Sequence, residues 1–78
     1  MVVEVRSADR PGLLYALGDA VARQRLSIRS ALVSTLAGQA IDTFYLTEAD
    51  GRRPDADRSE AAVQALASAA RPARSSVG

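Results

Sequence analysis

Hydrophobic and polar residues alternate at the start of the chain, which is typical of a strand with one buried face. Over residues 2–7, Val3 and Val5 share one face, whereas Glu4 and Arg6 share the other. This pattern predicts a first β-strand, because successive side chains of a strand point to opposite sides of a sheet.

Two further strands are predicted in the middle of the chain, at residues 26–35 and 40–48. The second of these is rich in aromatic and β-branched residues, which favour strands. The four residues 36–39 between them predict a hairpin turn in which Gly38 adopts a positive φ.

The first helix is predicted at residues 11–24. Apolar residues recur there at helical spacing, and Pro11 suits the first helical position because its missing N–H is no loss. The apolar stripe consists of Leu13, Leu14, Leu17, Ala20 and Val21.

A second helix is predicted to begin near Asp57, because Asp57 with Glu60 three residues later resembles a capping box. Pro72 ends this helix. Residues 72–78 carry no strand pattern and are predicted to be a disordered tail, which leaves one domain at residues 1–71.

The predicted element order is β-α-β-β-α, which indicates an α+β, ferredoxin-like sandwich. In that fold an antiparallel sheet carries two helices on one face, and a fourth strand here is either missing or supplied by a partner. One edge of the first strand is then open, which predicts a homodimer formed by strand pairing or by sheet-face contact through Ile41 and Tyr45.

Composition argues against several classes of function. The 78 residues carry a net charge of +1, so nothing draws the chain toward nucleic acid or a membrane surface. The absence of Cys and His removes disulfides and the commonest metal ligands and general base, so we expect no cofactor, no metal and no catalytic residue. No signal peptide or membrane span is visible, and we expect a cytoplasmic location.

The start of the first helix is the most informative segment for chemistry. Its first N–H groups, those of Gly12, Leu13 and Leu14, are predicted to be free, and a helix N-terminus with free donors attracts anions such as a carboxylate. Asp9 is able to accept from an ammonium group. The alternative interpretation is purely structural, with Asp9 capping the helix and the Pro-Gly pair starting it.

Three segments, at residues 9–14 (DRPGLL), 26–31 (LSIRSA) and 42–46 (DTFYL), resemble the ACT domain family, and within it the uridylyltransferase-type members. The resemblance implies a βαββαβ regulatory domain that binds an amino acid, with glutamine favoured, and controls an enzyme of nitrogen regulation. Some relatives have Asn where this chain has Asp9 and Ser27. The ligand positions carried over are Ser7, Asp9, Arg10, Gly12, Leu13, Leu14, Ser27 and Ile28, and a partner copy often completes the site.

The alternative function is a protein-interaction module that dimerises without a ligand, either with a second copy or with another ACT domain of the same protein. Arg29 and Tyr45 are secondary candidates for ligand contact. Arg29 is able to reach a ligand carboxylate, but a solvated arginine on a strand face is the favoured interpretation, and Tyr45 is interpreted as an interface residue in preference to a ligand contact. Asp42 lies two residues before Phe44 on the same predicted strand and is therefore predicted to face the core with it. No reason for a buried carboxylate at this position is evident.

Overall fold

Three strands and two helices follow one another in the order β1-α1-β2-β3-α2 in a computed structural model that describes residues 1–71. The predicted disordered tail, residues 72–78, lies outside the described residues. The bounds are β1 Val2–Ala8, α1 Leu13–Arg23, β2 Ser27–Leu36, β3 Gln39–Thr47 and α2 Ala56–Ala70.

The strands form one antiparallel sheet in the order β1-β3-β2. Phe44 on the central strand lies opposite Val3 on β1 and Ala31 on β2. Ala37 and Gly38 link β2 to β3 with φ of 53° and 79°, and two positive φ values are typical of a tight hairpin turn. The predicted hairpin is therefore confirmed.

The core lies between one face of the sheet and the two helices. Phe44 and Leu46 are almost completely buried, and Leu17 and Leu66 cover them from α1 and α2. The predicted alternation holds on β3, since Tyr45 between Phe44 and Leu46 remains exposed. The ferredoxin-like α+β fold is confirmed, with three strands among residues 1–71.

Both helices begin at positions that differ from the prediction. α1 begins at Leu13, and Gly12 precedes it in the left-handed region with φ of 79°, so Pro11 belongs to the preceding turn. α2 is capped by Asp55, whose carboxylate accepts from the Arg58 N–H at 2.8 Å. Asp57 lies in the first turn of α2, so the predicted capping box with Glu60 is wrong.

Both edges of the sheet are uncovered. An apolar groove of about 420 Å³ runs between β1 and α2, lined on the helix by Val63, Leu66, Ala67 and Ala70. On the opposite edge, every residue of β2 after Ser27 is exposed. Neither helix of the described part is long and apolar enough to cross a membrane.

Candidate functional site

A small cleft of about 180 Å³ opens at the N-terminal end of α1. Its walls come from the loop between β1 and α1, the first turn of α1, and the hairpin ends of β2 and β3. The lining includes Asp9, Arg10, Gly12, Leu13 and Leu14, together with Thr35 and Asp42. The structure therefore gathers five of the eight predicted ligand positions around one cavity.

The loop that forms the cleft is held in place by the hairpin. The Asp9 N–H donates to the Gly38 carbonyl at 3.0 Å, which ties the end of β1 to the turn between β2 and β3. The positive φ of Gly12 then turns the chain into α1, a conformation that side chains with a Cβ rarely adopt. Gly12 is therefore needed for the turn itself, beyond the open space that it leaves for a ligand.

One of the three N–H groups predicted to be free at the start of α1 is hydrogen-bonded. The Leu13 N–H donates to the Arg10 carbonyl at 3.2 Å, so the prediction of a free Leu13 donor is wrong: the tight turn around Gly12 brings that carbonyl within reach. Within residues 1–71, the N–H groups of Gly12 and Leu14 have no backbone acceptor. These two donors and the positive end of the helix dipole favour an anion at the cleft.

Asp9 does not cap α1, which was the structural alternative to ligand binding. No side chain caps α1, because its N-cap residue is Gly12. Asp9 is exposed at the rim of the cleft, and its carboxylate makes no hydrogen bond or ion pair within the described chain. Asp9 is therefore free to interact with a ligand.

Arg10 contributes its backbone to the cleft and its side chain to the tertiary structure. One terminal nitrogen donates to the Ala69 carbonyl at 2.8 Å and to the Arg71 carbonyl at 3.4 Å. These bonds satisfy carbonyls at the C-terminal end of α2 and fasten that end to the loop. The guanidinium is thus bonded to the end of α2 through one nitrogen, whereas its buried Nε atom has no hydrogen-bond partner within the described residues.

Asp42 is the charged residue most completely withdrawn from solvent, with 2% of its surface exposed. It lies on β3 at the floor of the cleft, and its Oδ1 atom has no hydrogen-bond partner among residues 1–71. Burial raises the pKa of the Asp42 carboxyl, and the negative charge of Asp9 raises it further. Parity along β3 predicted this inward orientation, but no motif pointed to its place in the cleft.

Three predicted ligand positions lie outside the cleft. Ser7 lines the groove beneath α2, and its buried Oγ atom has no partner within the described chain. Ser27 and Ile28 pair with Thr47 and Leu46, at the end of the sheet opposite the hairpin. Only a second chain is able to bring these two residues to the cleft.

The two secondary candidates are also remote from the cleft. Arg29 lies at a bulge in β2 and donates to the Thr47 hydroxyl at 2.8 Å and the Ala49 carbonyl at 3.4 Å, so it is bonded to the protein although exposed. Tyr45 is 46% exposed on the uncovered face of the sheet, as expected for an interface residue.

Comparison with known proteins relates the chain to one class of enzyme. It is 42% identical over 65 residues to the bifunctional uridylyltransferase/uridylyl-removing enzyme of Streptomyces coelicolor, which covers 83% of this chain and 8% of the enzyme. The corresponding enzymes of Bradyrhizobium sp. and Novosphingobium aromaticivorans are 43% and 40% identical over 63 residues, 81% of this chain and 7% of theirs. No protein-family model matches the chain.

The 65 residues matched in the Streptomyces coelicolor enzyme make up most of this chain. The same region is only a small part of each relative. The chain is therefore homologous to one small segment of the bifunctional uridylyltransferase/uridylyl-removing enzymes.

Proposed function

We propose that this chain is a regulatory ACT domain that binds a small amino acid, with glutamine favoured, and thereby controls a uridylyltransferase-type enzyme of nitrogen regulation. The homology to a segment of such enzymes supports the regulatory part of the proposal. The cleft at the start of α1 supports the ligand-binding part.

One observation carries the ligand assignment: the Gly12 and Leu14 N–H groups remain unpaired at the mouth of a small cleft that has both polar and apolar residues in its lining. Unpaired donors at a helix N-terminus are suited to a carboxylate, which every free amino acid has. The volume of about 180 Å³ suits a molecule of that size and is below the range usual for larger ligands.

The chain itself is proposed to be non-catalytic. The 63–65 matched residues correspond to 7–8% of the relatives' length, and the cleft holds neither a His nor a Cys to act as base or nucleophile. We expect the purified chain to show neither uridylyl-transferring nor uridylyl-removing activity. Metal-dependent uridylyl transfer by this chain alone would overturn this part of the proposal.

Thermal unfolding in the presence of individual amino acids tests ligand binding. A ligand at 100 times its Kd stabilises the folded state by about 2.7 kcal/mol. For a domain of this size that corresponds to a rise in Tm of roughly 10 °C or more. We expect glutamine to give the largest rise, and no rise with any common amino acid at millimolar concentration would contradict the proposal.

A second candidate function is an interaction module, and the exposed faces of the sheet favour it. Val2 and Leu32 are 69% and 70% exposed beside Tyr45 on the side of the sheet away from the helices, and β2 is exposed along its length. Such surfaces favour pairing with a second copy or a related domain. A shared site would bring Ser27 and Ile28 of one copy to the cleft of the other.

Light scattering separates the two functions, because the shared site couples assembly to ligand binding. We expect a dimer whose population rises with glutamine. An 8.2 kDa monomer under all conditions would contradict the dimer, and a dimer that is insensitive to every amino acid favours the interaction module.

A further inference from the structure

The Asp42 carboxylate makes no hydrogen bond or ion pair with any other group in residues 1–71. Only 2% of the Asp42 surface is exposed, and within the described residues its Oδ1 atom accepts no hydrogen bond. A buried polar group left without a partner is destabilising by about 1–3 kcal/mol, more for a charged group. Such a group persists at functional sites, where a ligand supplies the missing partner.

The surroundings of Asp42 identify the charge that this partner must have. Among the groups that face it, Asp9 is a second carboxylate and Arg10 is engaged with the carbonyls of α2. The remaining lining beside Asp42 includes Tyr15 from the first turn of α1 and Val33 and Thr35 from β2, none of which is a cation. Within residues 1–71 the cleft therefore has two carboxylates, and Arg10, the one cation in its lining, forms an ion pair with neither of them.

A primary ammonium group fits this arrangement better than a metal ion does. Within residues 1–71, no third acidic, His or Cys side chain joins Asp9 and Asp42 to form a metal-binding group. An ammonium group supplies three donors and one positive charge, which suits one buried carboxylate and a second at the rim.

We propose that Asp42 binds the α-ammonium group of the amino-acid ligand in this cleft, with Asp9 at the rim, while the ligand carboxylate lies at the Gly12 and Leu14 N–H groups. This inference rests on the proposed function and adds a specificity-determining residue to it. It predicts that α-hydroxy acids, which lack the ammonium group, bind poorly.

The test compares Asp42→Asn with Asp19→Asn by calorimetry, using L-glutamine, its α-hydroxy analogue and a simple primary amine as probes. Asp19 undergoes the same chemical change on the outer surface of α1, where it pairs only with Arg23 at 2.9 Å. We expect Asp42→Asn to weaken L-glutamine binding at least tenfold and Asp19→Asn to leave it unchanged, since a hydrogen bond to a charged group is lost. Circular dichroism checks that both variants are folded.

A carboxyl NMR titration of the wild-type chain provides a measurement that does not depend on a variant. We expect the pKa of Asp42 to lie above the ordinary value for Asp in the free protein and to fall when L-glutamine saturates the cleft, because an ammonium favours the charged form. An unchanged pKa on saturation would overturn the inference.

The outcomes distinguish this inference from the proposed function. If L-glutamine binds wild type and Asp42→Asn equally, or if the α-hydroxy analogue binds as well as L-glutamine does, the amino-acid site stands and the role of Asp42 is wrong. If only the primary amine binds, and only when Asp42 is present, the ammonium site stands and the amino-acid function is wrong. If neither probe with an ammonium group binds the wild-type chain, both proposals fail.

Discussion

Polar side chains at the two ends of the sheet differ in whether they have hydrogen-bond partners. At one end, which we call the Arg58 end (Gln24, Thr47, Glu48 and Arg58), polar side chains form hydrogen bonds with one another and with nearby carbonyls. Arg58 donates to both carboxylate oxygens of Glu48, at 2.6 and 3.0 Å, and to the Gln24 carbonyl at 2.8 Å. The buried Thr47 hydroxyl donates to the Glu48 carbonyl at 2.9 Å.

At the other end of the sheet, which we call the Asp42 end (Ser7, Arg10 and Asp42), buried polar atoms lack hydrogen-bond partners. Ser7 Oγ, Arg10 Nε and Asp42 Oδ1 are buried without partners, and they are the three such side-chain atoms among residues 1–71. All three lie on or beside the loop between β1 and α1.

The contrast shows that this small fold is able to pair its buried polar groups and does so where they only connect secondary-structure elements. Thr47 and Asp42 are both buried on β3, yet only Thr47 has a partner. Two of the three unpaired atoms, Arg10 Nε and Asp42 Oδ1, belong to residues that line the cleft, which favours a binding site there, because natural proteins leave buried polar groups unpaired mainly at functional sites.

Replacing Arg58 with Gln is expected to produce the largest loss of stability at either end. The hydrogen bond with Glu48 raises the pKa of Arg58, so the pair remains charged, and the same side chain fastens α2 to the end of α1. We expect Arg58→Gln to lower Tm by several degrees or more in thermal unfolding. A Tm equal to wild type would show that the Arg58 end does not stabilise the fold.

Replacing Gly12 with Ala tests the strained turn at the Asp42 end. No protein atom lies within 4 Å of a Cβ built at Gly12, but φ of 79° is unfavourable for any residue with a side chain. We expect Gly12→Ala to lower the free energy of unfolding by about 1–2 kcal/mol. An unchanged value in denaturant titration would contradict the need for glycine here, and Gly18→Ala in the middle of α1 serves as the control.

Asp42→Asn is expected to raise stability, whereas Arg58→Gln is expected to lower it. Removing a buried, unpartnered charge should stabilise the ligand-free protein at neutral pH by roughly 0.5–2 kcal/mol, the usual gain from relieving a functional compromise. The same variant loses ligand affinity under the proposal above. Equal destabilisation by Asp42→Asn and Arg58→Gln would remove the difference between the two ends.

The pH dependence of stability gives a smaller, related effect. Because burial raises the folded-state pKa of Asp42 above the ordinary value of 3.8, the folded state binds more protons than the unfolded state between the two values. This contribution to stability is present at low pH and is lost as pH rises through the folded pKa. As pH rises through this range, we expect the free energy of unfolding to fall less for Asp42→Asn than for wild type, as measured by denaturant titration at each pH.

Periodicity predicted the element order and the buried face, because those depend on spacing that recurs along each strand and helix. Helix starts were harder to predict: Asp55 and Asp57 are equally good caps by type, and the choice follows from the backbone geometry after Pro54. The cleft was predicted only in part. Sequence placed Gly12 at its mouth, but the distance of Ser27 from it follows from sheet register, and the role of Asp42 follows from its missing partner.

The central claim is that a small amino acid binds at the Asp42 end, and backbone NMR during titration with L-glutamine tests it most directly. We expect saturable chemical-shift changes centred on the amides of Asp9, Gly12, Leu14 and Asp42, joined in a dimer with a shared site by those of Ser27 and Ile28. Changes centred on Glu48 and Arg58 instead, or no saturable change anywhere, would contradict the account.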